Sequence, residues 1–466
     1  MQKVISKYGL AAHLAFVAVA PLFLFPFFGE GAVATVLLWL TALAAVWTLL
    51  EPSRRSGEML HDARARVAGA IALDPLFWLM SFLIVVAAVV WANGGVAMGY
   101  DAENRVWSLS APWCVFLPGS VAKAGYLPFA MTLAATVLVM ACRHCLGKTA
   151  RISFLFTSSV LSGVAAVVAC VLVALGRSET VQAAACEMAD GSFVGSAFGV
   201  QFLLAIVAFA GGMECRWNRY FLLFAFAIGA NGAGLYFFAP APVVCGYLTA
   251  GAVLIALVFT MLFFSSGSVV ALKCFACLVV GLGIAVLCAM GLAPKGLNEA
   301  RFAFLGEEGT ICPESFDEIR RLLNGVALKA WGEHRWLGTG CGSFPLDVKF
   351  GITGSEWALL RDFRGAAPNG WLQLLAERGI LGALALVAVF GFLATTFVRR
   401  LAPALKTALS NPVCWLGPVV FVTVAVETVY TASLLRPEQL MTVGAVLALA
   451  ASALPVLKAE AEKAEG

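Results

Sequence analysis

The sequence predicts an all-α polytopic membrane protein of about twelve transmembrane helices, with one large extracytoplasmic loop between the ninth and the tenth. Three observations lead there. Of the 466 residues, 61% are hydrophobic and 12% charged, and the mean hydropathy is +0.91; a soluble domain has roughly 45–50% apolar and about 25% charged residues. The apolar residues are gathered in blocks of about 20, the length that crosses a ~30 Å hydrocarbon core as helix. Lys and Arg concentrate in alternate connections between those blocks. A water-soluble fold and a disordered chain are both excluded. The net charge of +4 is scattered along loops and gives no basis for nucleic-acid binding.

Taken in order, the first block, 9–28, follows Lys3 and Lys7 and precedes Ala32-Val33-Ala34. Its apolar stretch exceeds the ~7–15 residues of a signal-peptide core, so it is read as a span. The second, 31–50, ends at a basic stretch holding Arg54, Arg55, Arg64 and Arg66. The third, 71–92, is followed by a polar connection, and the fourth and fifth, 124–142 and 152–175, flank Arg143, Lys148 and Arg151. Spans at 194–213, 221–239, 243–264 and 274–293 come next, then 371–397, 412–432 and 438–457 after the long loop. Of the Lys and Arg in short connections, 17 fall on one side, while the other side holds Arg105, Lys123, Arg177 and Arg436. The positive-inside rule makes both termini cytoplasmic and puts the long loop outside, which in a Gram-negative bacterium is the periplasm. The organisation expected is therefore spans one to nine over 1–293, a loop domain over 294–370, spans ten to twelve over 371–457, and a cytoplasmic tail over 458–466.

Chemistry-bearing residues are sparse within the spans. His13 and Asp74 lie near span ends and Glu427 lies within the eleventh. A carboxylate in hydrocarbon is costly unless paired or protonated, which makes Glu427 a functional candidate; an equally good reading has it near the outer end, reaching water or a loop Arg. Cys142-Arg-His-Cys145 and Cys274-Phe-Ala-Cys277 have CxxC spacing, but neither comes with a second ligand pair, so packing at membrane ends is favoured over zinc and no metal or other cofactor is expected. Cys312 and Cys341 in the long loop leave a disulfide open, because spacing alone fixes no connectivity.

The long loop is a small polar segment of mixed charge. Residues 315–331 read as an amphipathic helix, with Ser315 as N-cap and Glu318 three residues on, expected to lie flat on membrane lipids. Gly338-Thr-Gly-Cys-Gly-Ser-Phe344 follows, a Gly-x-Gly-x-Gly turn through Gly338, Gly340 and Gly342 whose backbone N–H groups can approach a phosphate. The single outward-facing imidazole is His334.

In the order of its motifs the chain resembles the O-antigen ligase and polymerase superfamily. Arg320 and Leu328 fit that family's Arg-x₇-Leu helix, residues 338–344 its Gly-x-Gly-x-Gly-x-Phe turn, and Asn369, Leu372, Gln373, Leu375, Glu377, Gly379 and Gly382 its Asn-x-x-Leu-Gln-x-Leu-x-Glu-x-Gly-x-x-Gly segment. Gly191-Ser-Phe-Val-Gly-Ser-Ala-Phe198 is similar to the family's segment entering the sixth span. The resemblance implies the fold of C-type membrane glycosyltransferases, which move a glycan from an undecaprenyl-diphosphate carrier to lipid A core or to a growing polysaccharide. It implies Arg residues that hold the diphosphate and a base that takes the acceptor's proton. Two positions depart: Pro368 stands where the family has His, and Gly267 where it has Arg.

With that base missing, Asp362 or Glu377 is the candidate base beside Asn369, and Arg320, Arg321, Arg361 and Arg364 are the candidate diphosphate ligands. Helix N-terminal stabilisation accounts equally well for Glu377, and lipid headgroup contact for the arginines. His334 is read as structural. The alternatives are a divergent member that binds the lipid-linked glycan without transferring it and, weaker, a transporter or flippase, which would prefer an inverted repeat and broken helices at the midplane.

Overall fold

A computed structural model describes residues 2–24, 30–56, 60–93, 97–101, 106–110, 122–146, 148–175, 192–214, 220–239, 241–266, 313–340, 343–344, 347–348, 367–408, 413–430 and 443. These residues are helical apart from short turns and one small hairpin. The helices are α1 (Gln2–Leu24), α2 (Glu30–Ser56), α3 (Leu60–Ala72), α4 (Pro75–Asn93), α5 (Ala122–Cys145), α6 (Lys148–Leu175) and α7 (Ser192–Glu214). After them come α8 (Phe221–Phe238), α9 (Ala241–Ser266), α10 (Pro313–Glu333), α11 (Gly370–Ala408) and α12 (Val413–Tyr430). The hairpin, which the all-α expectation lacks, pairs β1 (Ala97–Asp101) with β2 (Val106–Ser110), antiparallel, Gly99 opposite Ser108. Its Tyr and Trp residues are of the type that suits strands.

Ten of the twelve expected spans fall on described helices; the ninth lies outside the described residues, as does the twelfth apart from Val443. Two helices, Ala150–Val171 and Gly370–Val398, are long and apolar enough to cross a membrane, and the other apolar helical stretches among the described residues are shorter. The outer surface is apolar too. Trp78, Phe82, Val85 and Val89 form one exposed stripe along α4, and Trp39 on α2 is 70% exposed. In water such a continuous apolar face would drive association; against lipid tails it costs nothing.

The expected third span, 71–92, lies on α4 from Pro75 onward, and its first residues belong to the end of α3 and the turn after it. Asp74 separates α3 from α4, its Oδ1 accepting the Leu76 N–H at 3.0 Å, with Pro75 at the first helical position. An Asp cap followed by Pro starts a helix at that point, because Pro has no N–H to leave unpaired. Asp74 is also a tie between elements: its Oδ2 accepts from Arg143 Nε at 2.5 Å and from His144 Nε2 at 2.9 Å, at the end of α5.

The centre of the bundle is α7, buried on every side from 195 to 209 and packed against α6, α8, α9 and α12. Small residues permit this close approach. The Tyr247 ring of α9 lies over Gly199, and Phe198 of α7 over Gly234 of α8. Between α6 and α8, Asn231 Nδ2 donates to Ser159 O at 2.8 Å while Ser162 Oγ donates to Asn231 Oδ1 at 2.7 Å. His13 bridges α1 and α2 through Leu40 O at 3.2 Å and a tilted contact with Trp47. Cys142 and Cys145 are buried packing residues, the Cys145 thiol facing Thr48 O at 3.9 Å. Glu427 of α12 accepts the Tyr247 hydroxyl at 2.6 Å, with both side chains buried.

Candidate functional site

Helix α10 carries its apolar residues at Leu323, Val326, Ala327 and Ala330, a spacing that makes one face. That face is covered by Phe344, Val348, Ala367 and Ala376 of the following turn and of α11, with Leu322 and Leu372 beside them. The expectation that this helix lies flat on lipid is therefore corrected: its apolar stripe forms a second small core. Arg320 is half-buried on it and Arg321 exposed. Arg361, Asp362, Arg364, Gly342 and the Cys312–Cys341 pair lie outside the described residues.

The glycine turn and the start of α11 are joined through their backbones. In an uninterrupted helix Ile380 N would donate to Ala376 O and Leu381 N to Glu377 O. Here both bonds are opened, and the turn supplies the partners. Thr339 N donates to Ala376 O at 2.8 Å and Gly340 N to Glu377 O at 3.0 Å, while Ile380 N donates to Arg335 O at 2.9 Å and Leu381 N to Trp336 O at 3.3 Å. Gly379, at φ 61° and ψ −164°, is the kink that makes room. All four polar groups stay paired in a buried place where leaving them bare costs about 1–3 kcal/mol each.

Asn369 caps α11, its Oδ1 accepting Trp371 N at 3.0 Å and Leu372 N at 3.3 Å. Gln373 links the cap region to Glu377. Its Oε1 accepts Ala367 N at 2.8 Å and its Nε2 donates to Glu377 Oε1 at 2.9 Å, with Gln373 and Glu377 both buried. Pro368 is half-buried at the residue before this cap. His334 is exposed, and its backbone carbonyl accepts Gly338 N at 2.9 Å.

Sequence reasoning missed Asp347. Thr339, Ser343 and Asp347 follow at intervals of four, and that spacing was the available signal. The Thr339 and Ser343 hydroxyls lie 2.6 Å apart, and Asp347 Oδ2 is 2.9 Å from the first and 3.3 Å from the second. Burial pushes the Asp347 carboxyl up to about 7, the charges of Glu377 and Glu333 act in the same direction, and the two hydroxyl hydrogen bonds act against them. A carboxyl that gains and loses its proton near neutrality suits general acid–base work. The glycine turn, Glu377, Asn369 and Gln373 are thus brought to one locus together with Asp347, which the sequence did not single out. No protein-family model matches the chain, and no curated protein matches it.

Proposed function

We propose that the chain is a membrane-embedded glycosyltransferase of the O-antigen ligase or polymerase type. It takes a glycan from undecaprenyl diphosphate, at the outer face of a bacterial inner membrane, to lipid A core or a growing polysaccharide. In this reading twelve helices span the bilayer, both termini are cytoplasmic and the 294–370 loop is periplasmic. The observation that carries it is the backbone union of the 335–340 turn with α11 at 376–381, because the two segments that bear the resemblance meet there.

The transfer breaks the bond between the anomeric carbon and the diphosphate and forms one to the acceptor oxygen, whose proton goes to a base. Arg320, Arg321, Arg361 and Arg364 are the cations for the departing diphosphate, which removes the need for a metal. Glu377 or Asp362 takes the proton, with Asn369 holding the helix start. A second reading, a lipid-linked-glycan-binding member that performs no transfer, is favoured by Pro368 at the position where the resemblance implies His.

The test is the surface-glycan gel profile of a deletion strain complemented with wild type, Glu377→Gln, Asp362→Asn, Arg320→Ala or Arg364→Ala. Polymerised or lipid-attached glycan that is lost on deletion, restored by wild type and not by an equally abundant carboxylate variant supports transfer. An unchanged profile in the deletion strain overturns it.

A further inference from the structure

Arg378 follows Glu377 on α11, yet the two side chains diverge by about 100° around the helix. Glu377 accepts from Gln373, while the Arg378 stem lies over Gly382, where an added Cβ would fall 2.3 Å from Arg378 Cβ. Arg378 is 9% exposed, and its Nε is buried with no hydrogen-bond partner. Among the described residues its guanidinium forms no ion pair. A buried guanidinium whose Nε has no hydrogen-bond partner, and which no carboxylate among the described residues pairs with, is strongly destabilising unless something else pairs with it. Its backbone adjoins the glycine turn, with Arg378 N 2.5 Å from where a Cβ on Gly338 would stand.

We propose that Arg378 is an anion-binding residue whose ligand is a diphosphate or phosphate group, brought by a lipid carrier and held where the glycine turn crosses α11. The planar fork of donors matches phosphate oxygens bidentately. The position is about 12 Å along α11 from its first residue. The inference rests on the transferase reading for the identity of the carrier, and on the unpaired guanidinium for the charge.

The experiment measures thermal unfolding of the purified full chain in nanodiscs, for wild type, Arg378→Met and Arg378→Lys. Each is titrated with undecaprenyl diphosphate, with sodium pyrophosphate, or with added phosphatidylglycerol. Without ligand, Arg378→Met unfolds at the wild-type temperature or higher, since it removes an unpaired charge. Undecaprenyl diphosphate stabilises wild type, binds Arg378→Met at least about tenfold more weakly, and binds Arg378→Lys with intermediate strength. Stabilisation that depends on Arg378 with pyrophosphate or phosphatidylglycerol alone keeps the anion site but removes the carrier, and with it the donor of the transferase reading. Equal stabilisation of wild type and Arg378→Met by undecaprenyl diphosphate overturns the inference and leaves that reading standing. No stabilisation by any probe overturns both. A large loss of stability in Arg378→Met without ligand means that the fold itself neutralises Arg378, and overturns the inference.

Discussion

Gly338 and Gly379 face each other across the junction of the turn and α11, both at positive φ (71° and 61°) and each against the other segment's backbone. A Cβ on Gly338 would stand 2.3 Å from the Glu377 carbonyl carbon, and one on Gly379 would stand 2.4 Å from that of Trp336. Neither neighbour is a flexible side chain that can swing away. Gly338→Ala and Gly379→Ala are therefore each expected to cost about 2 kcal/mol or more, combining left-handed strain with a backbone clash. Gly325→Ala and Gly332→Ala on α10, where nothing lies within 4 Å of an added Cβ, are expected to be neutral or to stabilise by about 0.5–1 kcal/mol. Thermal unfolding of the four purified variants checks the contrast, and equal losses at all four positions would sink it.

Asp347 makes stability depend on pH in a stated direction. Its carboxyl is raised to about 7 from an ordinary 3.8, so the folded protein holds this proton more tightly than the unfolded chain does. The stabilising contribution is fully present below pH 3.8 and is lost as pH rises through about 7. Asp347→Asn is expected to raise the unfolding temperature relative to wild type at pH 8, with the difference shrinking toward pH 5. Denaturation curves at the two pH values decide this. A gap that is constant or widens on acidification contradicts the assignment.

Asp74 performs two tasks that can be separated. Asp74→Asn keeps the side-chain acceptor for Leu76 N and loses the charge that pairs with Arg143 and His144; Asp74→Ala loses both. The alanine variant is expected to be the less stable by about 1 kcal/mol, the worth of a helix cap. Both should fall below wild type by about 3 kcal/mol or more, because Arg143 is left mostly buried without its carboxylate. Unfolding temperatures of the two variants, with Arg143→Met/Asp74→Ala as a double variant that removes the stranded charge, test the division. A double variant no more stable than Asp74→Ala would refute the charge argument.

The sequence by itself determined where the helices lie. A run of about 20 apolar residues cannot be left in water as coil, and bounded by charge, Gly or Pro it gives the positions of α5–α9 to within a few residues and overlaps α1 and α2, which extend beyond the expected bounds to Gln2 and Ser56. It also determined α10, whose 3.6-residue pattern is local, and it singled out the glycine turn and the Asn369–Gly382 segment. Only the tertiary structure decided what those parts do to one another. Thr339 reaches Ala376 across 37 residues of chain by taking a hydrogen bond that α11 would otherwise make within itself, and no local propensity encodes that exchange. It also decided that α10 covers its apolar face with Phe344 and Ala376 instead of lipid, and that Asp74 ends one helix and caps the next. The proton affinity of Asp347 and the orphaned Nε of Arg378 have the same origin. Both are set by burial and by neighbours distant in sequence, and a sequence states which groups are polar without stating which of them lie buried without a partner among the described residues.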